Sequence, residues 1–276
     1  MEIAGRNVIV TGGAAGIGAA LARELRRRGA AHIVVADLDG SGAAEVAEAI
    51  GGSPAVLDVS DEAAIVDLVE RTTRDHGPIG LFVSNAGFVT AGGLEDDNAR
   101  IQRMWDVHVM AHVYAARAVV PSMAAAGGGH LLNTASAAGL LTQIGSMAYT
   151  ITKHAAVALS EWLAITHHHQ GIGVSVLCPQ AVRTDLLSNS PDDLSGPGDD
   201  PWAGGAASGD GVLEADQVAE VACDAVETGR FLVLPHSEVA TYLARKTDDI
   251  ERWLDGMRRL QRALAGDGAL PGDRIV

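Results

Sequence analysis

Seven short apolar runs alternating with longer segments of helical period are the feature that most limits how this chain folds. The runs are NVIVT (7–11), HIVVAD (32–37), AVLDV (55–59), LFVSNAG (81–87), HLLNTAS (130–136), VSVLCP (174–179) and FLVLP (231–235). Near-continuous apolar strands need cover on both faces, and parallel neighbours need a crossover of a dozen residues or more. Segments between the runs supply it, with helices expected over 17–28, 41–50, 61–76, 94–125, 147–168 and 214–228. The expected class is therefore α/β, a doubly wound sheet of seven mainly parallel strands flanked by helices on both faces. Ser60 is the expected N-cap of the third helix. Arg26 to Arg28 followed by Gly29 reads as a cationic helix end with its left-handed residue.

With 276 residues, 47% of them hydrophobic, the chain has enough apolar surface for one substantial core. A single domain over 1–276 is expected. The Gly-, Pro-, Ser- and Asp-rich stretch SNSPDDLSGPGDDPWAGGAASGDG marks a mobile lid at about 186–213, and amphipathic periodicity marks a C-terminal helical extension at about 238–265. A net charge of −15 argues against nucleic acid or an anionic membrane as partner, because both need a basic footprint. Between Arg117 and Lys153 no Asp, Glu, Lys or Arg occurs, yet Pro121, Gly127 to Gly129 and scattered polar residues reject a membrane span. That uncharged run is read instead as the wall of a buried site. Cys178 and Cys223 lack metal-ligand spacing, no targeting segment precedes the first strand, and a reduced, cytoplasmic protein is expected. The tract His167 to His169 reads as a solvated helix end, and no metal site is expected.

TGGAAGIG (11–18) follows the first strand and opens the first helix. Gly12, Gly16 and Gly18 permit a tight turn and close approach of a ligand, and the helix N-terminus offers free N–H groups to a pyrophosphate. Asp37 ends the second strand, where a carboxylate accepts from a ribose 2′-hydroxyl. It would repel a 2′-phosphate by roughly 4 kcal/mol at about 4 Å and an effective dielectric near 20. Neither Ala15 nor Leu38 offers a compensating cation, so NAD is preferred over NADP. Further along, SMAYTITKHAAVAL places Tyr149 and Lys153 on one helix face in an otherwise apolar segment. An ammonium beside a phenol lowers the cost of ionising it, which is what a tyrosine acid/base needs.

Together TGGAAGIG, Asp37, Asp58-Val59, SNAG (84–87), Ser136, Tyr149/Lys153 and CPQAVRTDL (178–186) resemble the short-chain dehydrogenase/reductase family, in its shorter single-domain branch. The resemblance runs from Asn7 to about Pro235. It implies a Rossmann-type fold, with Tyr149 as catalytic acid/base, Lys153 as its activator and a ligand of the nicotinamide ribose, and Ser136 holding the substrate oxygen. It further implies that Ala15 and Ile17 join the glycines at the cofactor, that Leu38 flanks Asp37, and that Asp58 and Val59 meet the adenine. Asn85, Ala86 and Gly87 would back the cofactor, with Pro179, Val182 and Thr184 at the nicotinamide. Homodimers or homotetramers through the helices at 94–125 and 147–168 are implied as well.

Two residues depart from the family pattern. His108, in Asp106-Val107-His108, stands where the family usually has Asn, in a position that supports a water leading to the lysine. It is a candidate catalytic residue whose ring adds or blocks a proton path, or else a core histidine. Gln180, in CPQ, replaces the usual Gly and either contacts substrate or closes the loop. Phe88, Leu140, Leu141 and Met147 suggest an apolar pocket for a medium-sized secondary alcohol or its ketone. The function expected is an NAD-dependent alcohol dehydrogenase or carbonyl reductase. Alternatives are a non-catalytic dinucleotide sensor, a dehydratase or epimerase using the same groups, and an NAD-dependent 3-oxoacyl reductase.

Overall fold

The structure is a computed structural model that describes residues 1–186, 209–265 and 272. In chain order the elements are β1 (Asn7–Thr11), α1 (Gly16–Arg27), β2 (His32–Asp37), α2 (Gly40–Ile50), β3 (Ser53–Val56), α3 (Glu62–His76) and β4 (Ile79–Ser84). Next come α4 (Asn98–Trp105), a π-helical turn over Asp106–Met110, α5 (Ala111–Ala125), β5 (Gly129–Thr134), α6 (Met147–Thr166), β6 (Ile172–Leu177) and β7 (Val182–Arg183). The chain closes with β8 (Leu213–Glu214), α7 (Ala215–Thr228), β9 (Leu232–Val233), α8 (Glu238–Asp248) and α9 (Ile250–Ala265). The order β3-β2-β1-β4-β5-β6-β9 makes one parallel seven-stranded sheet, and β7 pairs with β8 apart from it.

Strand alternation divides the core into two layers. Val8 and Val10 of β1, with Leu81 and Val83 of β4, pack under α1, α2 and α7, whereas Ile9 and Phe82 between them face α3, α5 and α6. Both faces are thereby dry, which is why the strands read as unbroken apolar runs. Pro54 sits in β3, which is an edge strand and loses no ladder bond to a missing N–H.

Two expected local features differ. The helix expected over 94–125 begins only at Asn98, capped by Asp97, and is interrupted at Asp106–Met110, where the Ala111 N–H bonds the Asp106 carbonyl. Such a π-turn inserts one residue into the helix and re-aims the side chains within it. For α3 the cap is Asp61, not Ser60. The Asp61 carboxylate accepts from the Ala63 and Ala64 N–H groups, while the Ser60 hydroxyl donates to Asp58. A carboxylate at the cap satisfies the free donors and meets the helix dipole as well.

Arg28 ends α1, and its side chain, only 11% exposed, reaches three carboxylates: Glu24 at 2.6 Å, Asp224 at 2.7 Å and Glu227 at 2.6 Å. The guanidinium clamps α1 to α7, and these anions hold its pKa above the usual arginine value despite burial. Removing Arg28 strands Glu24, whose side chain is only 12% exposed, whereas Asp224 and Glu227 reach solvent. Arg28→Met is expected to destabilise the fold by about 3 kcal/mol in urea denaturation at neutral pH. Because Arg27 and Arg28 hold the Glu24 carboxyl below its usual range, the loss should shrink only as pH falls through that lowered value.

Candidate active site

The site forms where the sheet order reverses, between the carboxyl ends of β1 and β4. The turn after β1 can lie against β4 only because it lacks side chains. A Cβ on Gly12 would fall 2.7 Å from the Ala86 Cα, one on Gly18 would run into the Gly12 carbonyl oxygen, and Gly12 holds φ at +63°. Asn85 ties the parts together. Its amide donates to the Thr11 and Gly12 carbonyls at 3.3 Å each, and its carbonyl accepts from the Thr134 hydroxyl at 3.1 Å. Thr11 and Thr134 are therefore part of the scaffold, a role that lone threonines in strands do not announce in a sequence.

A cleft of about 370 Å³ opens along this line. Its wall includes Gly12, Ala15, Gly16, Ile17, Asp37, Leu38, Asp58, Val59, Asn85, Ala86 and Gly87 at one end. Ser136, Tyr149, Lys153, Pro179, Gln180, Val182, Thr184 and Phe88 line the other. Gly18 lies beneath the turn and off the wall. Asp37 accepts the Ala14 N–H at 3.0 Å through one oxygen and the Asp39 N–H at 3.0 Å through the other, which holds the carboxylate at the mouth of the glycine turn. Arg103 also lines the cleft, paired with Asp58 at 3.1 Å. Nothing in its exposed, polar surroundings on α4 distinguishes it in sequence from a surface arginine.

Leu140 and Met147, expected at the substrate, are absent from the described wall. Leu140 packs against the buried cluster of Ala137, Leu141 and Val239, and its carbonyl accepts from Lys246 Nζ at 2.7 Å. Through Val239 and Lys246, α8 thus holds this residue from the side of the C-terminal helices. Met147 starts α6, where its N–H bonds the Gly92 carbonyl. Most of the lid expected at 186–213 lies outside the described residues.

Tyr149, Lys153 and Ser136 converge from two elements. Lys153 Nζ stands 5.5 Å from the Tyr149 ring centroid and donates to the Thr134 carbonyl at 3.0 Å. Burial brings its pKa down to about 8. For Tyr149 burial raises the pKa and the Ser136 hydroxyl pulls it down, with burial the larger effect. In the protein alone the phenol is therefore harder to ionise than in water. Ser136 is held by its own turn, accepting the Ala138 N–H and lying 3.4 Å from the Pro179 carbonyl.

His108 sits one layer behind the cleft, fully buried on the π-turn. Its Nε2 accepts the Phe88 N–H at 3.1 Å, so Nδ1 carries the proton and donates to Thr152 Oγ1 at 3.0 Å. Burial and then the Lys153 charge push its pKa well below the usual histidine value. Both nitrogens of a neutral ring are thus occupied by the scaffold. As it stands, the ring links the Phe88 loop to α6. The tract His167 to His169 is exposed or half-buried at the end of α6, and no metal-ligating cluster occurs among the described residues.

A parallel sheet with a glycine turn at its switch point and a Ser/Tyr/Lys trio beside it defines a dinucleotide-binding α/β protein. Comparison with known proteins gives the family. The description of the short chain dehydrogenase family matches residues 6–195. A 1-deoxy-11-beta-hydroxypentalenate dehydrogenase of Streptomyces avermitilis is 30% identical over 263 residues, covering 92% of this chain and 93% of its own. A cis-4-hydroxycyclohexanecarboxylate dehydrogenase of Sinomonas cyclohexanicum is 33% identical over 68% of this chain and 78% of its own. Among solved structures, a short chain dehydrogenase/reductase from Burkholderia phymatum in complex with NAD superposes with a TM-score of 0.80 at 28% identity, covering 91% of this chain and 96% of that one. The chain belongs to the short-chain dehydrogenase/reductase family of oxidoreductases. Among the described residues no helix is long and apolar enough to cross a membrane.

The buried lysine makes a thermodynamic test of the site. A group with folded pKa near 8 and unfolded value 10.5 opposes folding fully below pH 8, and the penalty fades as pH rises to 10.5. Lys153→Met is therefore expected to raise stability at pH 7 by up to about 3 kcal/mol. The gap from wild type, read by chemical denaturation, should close between pH 8 and 10.5.

Proposed function

We propose that the protein is an NAD(H)-dependent oxidoreductase that interconverts a medium-sized secondary alcohol and its ketone, with Tyr149 as acid/base. The convergence of Tyr149, Lys153 and Ser136 at one end of the glycine-turn cleft carries this reading. The dinucleotide fits the residues present, because the turn that opens α1 forms one wall of the cleft through Gly12, Ala15, Gly16 and Ile17 and brings the free N–H groups of the helix start to it. Asp37 would receive the adenosine ribose, Asp58 and Val59 the adenine, and Lys153 with Val182 and Thr184 the nicotinamide half. When bound, the oxidised nicotinamide accepts hydride from the alcohol carbon and supplies a positive charge beside the phenol.

The chain's own groups handle the proton. Moving a phenol from a pKa near 10 to neutrality takes roughly 4 kcal/mol of anion stabilisation. A cation about 5 Å away at an effective dielectric near 20 provides about 3 kcal/mol. Lys153 alone does not overcome burial here, which is why the cofactor's charge is part of the design. Tyr149 removes the hydroxyl proton in oxidation and returns it to the carbonyl oxygen in reduction. Ser136 donates to that oxygen as charge develops on it. His108 acts as a positioning residue, fixing Phe88 at the cleft wall relative to α6. In this reading subunits assemble as dimers or tetramers through α5 and α6, supported by the outward Trp162 (56% exposed) and Ile165 (80% exposed) of α6.

Tyr149→Phe should lower kcat for NADH formation from secondary alcohols by about a thousandfold while NADH binding stays within a few-fold. Retention of full turnover in that variant would overturn the role given to Tyr149. For the cofactor, wild type is expected to favour NAD⁺ over NADP⁺ by a hundredfold or more in kcat/KM, roughly what 4 kcal/mol of repulsion permits after screening. Asp37→Asn keeps an acceptor for the Ala14 N–H but drops the charge, so it should narrow that ratio chiefly by improving use of NADP⁺.

A further inference from the structure

Ser136 is carried on a short helical turn, Ala137–Gly139, and caps its start by accepting the Ala138 N–H at 3.1 Å. The turn lies directly against α6, because a Cβ on Gly139 would run into the Lys153 carbonyl oxygen. A shift of the turn along α6 therefore moves Ser136 relative to Tyr149 and Lys153. The Leu140 and Leu141 N–H groups bond back to the Ala137 carbonyl at 3.0 and 2.8 Å. Their own carbonyls are met from far along the chain, where Lys246 Nζ of α8 donates to Leu140 at 2.7 Å and to Leu141 at 3.2 Å. A lysine at the last carbonyls of a helical turn satisfies orphaned acceptors, and a charged donor makes the stronger bond. Val239, two helical turns earlier on the same face of α8, is fully buried with Ala137 and Leu141.

The loop from this turn to α6 is held in a conformation it would not adopt unaided. The Thr150 hydroxyl of α6 accepts the Gln143 N–H at 2.9 Å and donates to the Gln143 carbonyl at 3.2 Å. Further on, the Gly92 N–H bonds the Gly145 carbonyl and the Met147 N–H bonds the Gly92 carbonyl, each at 2.9 Å. Between the Lys246 and Thr150 clamps Thr142 holds φ at +153°, and among the described residues no other except glycine has a positive φ. A β-branched residue in that region is strained and persists only where its neighbours over-determine it. Lys246 supplies one side of that constraint although burial disfavours its charge and lowers its pKa. It is absent from the described cleft wall, so it reaches the reacting groups through the Ser136 turn.

We propose that Lys246 is a positioning residue for the reaction: by bonding the Leu140 and Leu141 carbonyls it holds the turn that places the Ser136 hydroxyl at Tyr149. The proposal rests on the oxidoreductase reading and adds a residue of the C-terminal helices to it. Because the Ser136 hydroxyl pulls the Tyr149 pKa down, loss of the clamp lets that pKa rise and moves alcohol oxidation to higher pH.

The test compares wild type with Lys246→Met, Lys246→Arg, Ser136→Ala and the double variant Lys246→Met/Ser136→Ala, with Arg245→Met as the control that removes a neighbouring exposed cation. NADH formation from secondary alcohols is followed against pH. Lys246→Met should lower kcat about tenfold, the size of one lost hydrogen bond, and move the rising limb of the pH profile upward, while NADH affinity stays within about twofold. Lys246→Arg, which keeps charge and donors, should recover most of the rate, and Arg245→Met should match wild type. In the Ser136→Ala background Lys246→Met should cost less than about twofold, because it acts through that hydroxyl. An unchanged kcat and pH profile in Lys246→Met, or losses that multiply in the double variant, would overturn the proposal. A second readout needs no turnover. With the three tyrosines labelled with carbon-13 at Cζ, the Tyr149 signal is identified by its loss in Tyr149→Phe. It should shift in Lys246→Met in the same direction as in Ser136→Ala, and stay in place in Arg245→Met. If wild type oxidises no alcohol, the oxidoreductase reading fails for this class and the Tyr149 signal decides Lys246 by itself, an unmoved signal overturning the proposal. Should Lys246→Met not fold, both readouts are taken on Lys246→Gln, a shorter neutral side chain, and the same outcomes apply.

Discussion

Everything at the site depends on one close approach, that of the turn after β1 to the end of β4. Sequence neighbours run from β1 outward to β3 on one side and from β4 outward to β9 on the other, so the two halves of the sheet part at this seam. A crevice at such a seam is useful only if backbone, not side chain, forms its floor. Gly12 against Ala86 and Gly18 against Gly12 meet that condition, and Asn85 holds the seam with bonds to both sides. Move this contact outward by the width of a methyl group and the cleft loses its floor, Asp37 loses Ala14, and Thr134 no longer stands where Lys153 reaches it.

A second constraint is the cost of charge in the dry half of the molecule. Between Arg117 and Lys153 the chain carries no Asp, Glu, Lys or Arg, and Lys153 enters the cleft bonded to the Thr134 carbonyl. The buried histidines respond by staying neutral. His108 is held well below its usual pKa, and His112 falls to about 4, in both cases chiefly by burial and next by Lys153. The π-turn at Asp106–Met110 shows how the chain accommodates such a group: the extra residue presents the His108 ring to Phe88 on one side and Thr152 on the other. Stability is given up at Lys153, while the Arg28 cluster joins α1 to α7 well away from the cleft.

Much of this was legible along the chain. Each sheet strand overlaps one of the seven apolar runs, and the residues named for the dinucleotide line the cleft apart from Gly18 beneath the turn. The departures have local causes. A helix drawn through 94–125 misses the π-turn, because one inserted residue leaves hydrophobic periodicity almost unchanged over so long a segment. Ser60 was an equally good cap on composition, and Asp61 took the position because Ser60 is engaged with Asp58. Leu140 and Met147 were apolar residues close in sequence to Ser136 and Tyr149, but α8 holds the first through Val239 and Lys246 and the Gly92 carbonyl places the second.

The sequence by itself determined the parallel sheet, the glycine turn and the order of the chemical groups. Those features depend on residue type and on spacing within a turn or a strand, which are local properties. Tertiary structure alone decided the state of those groups. Whether Tyr149 is easier or harder to ionise, whether the His108 ring is free or tied, and whether the Leu140 and Leu141 carbonyls find a donor depend on burial and on neighbours far along the chain. Thr152 lies 44 residues from His108 and Lys246 lies 106 from Leu140, and only packing brings each pair into contact.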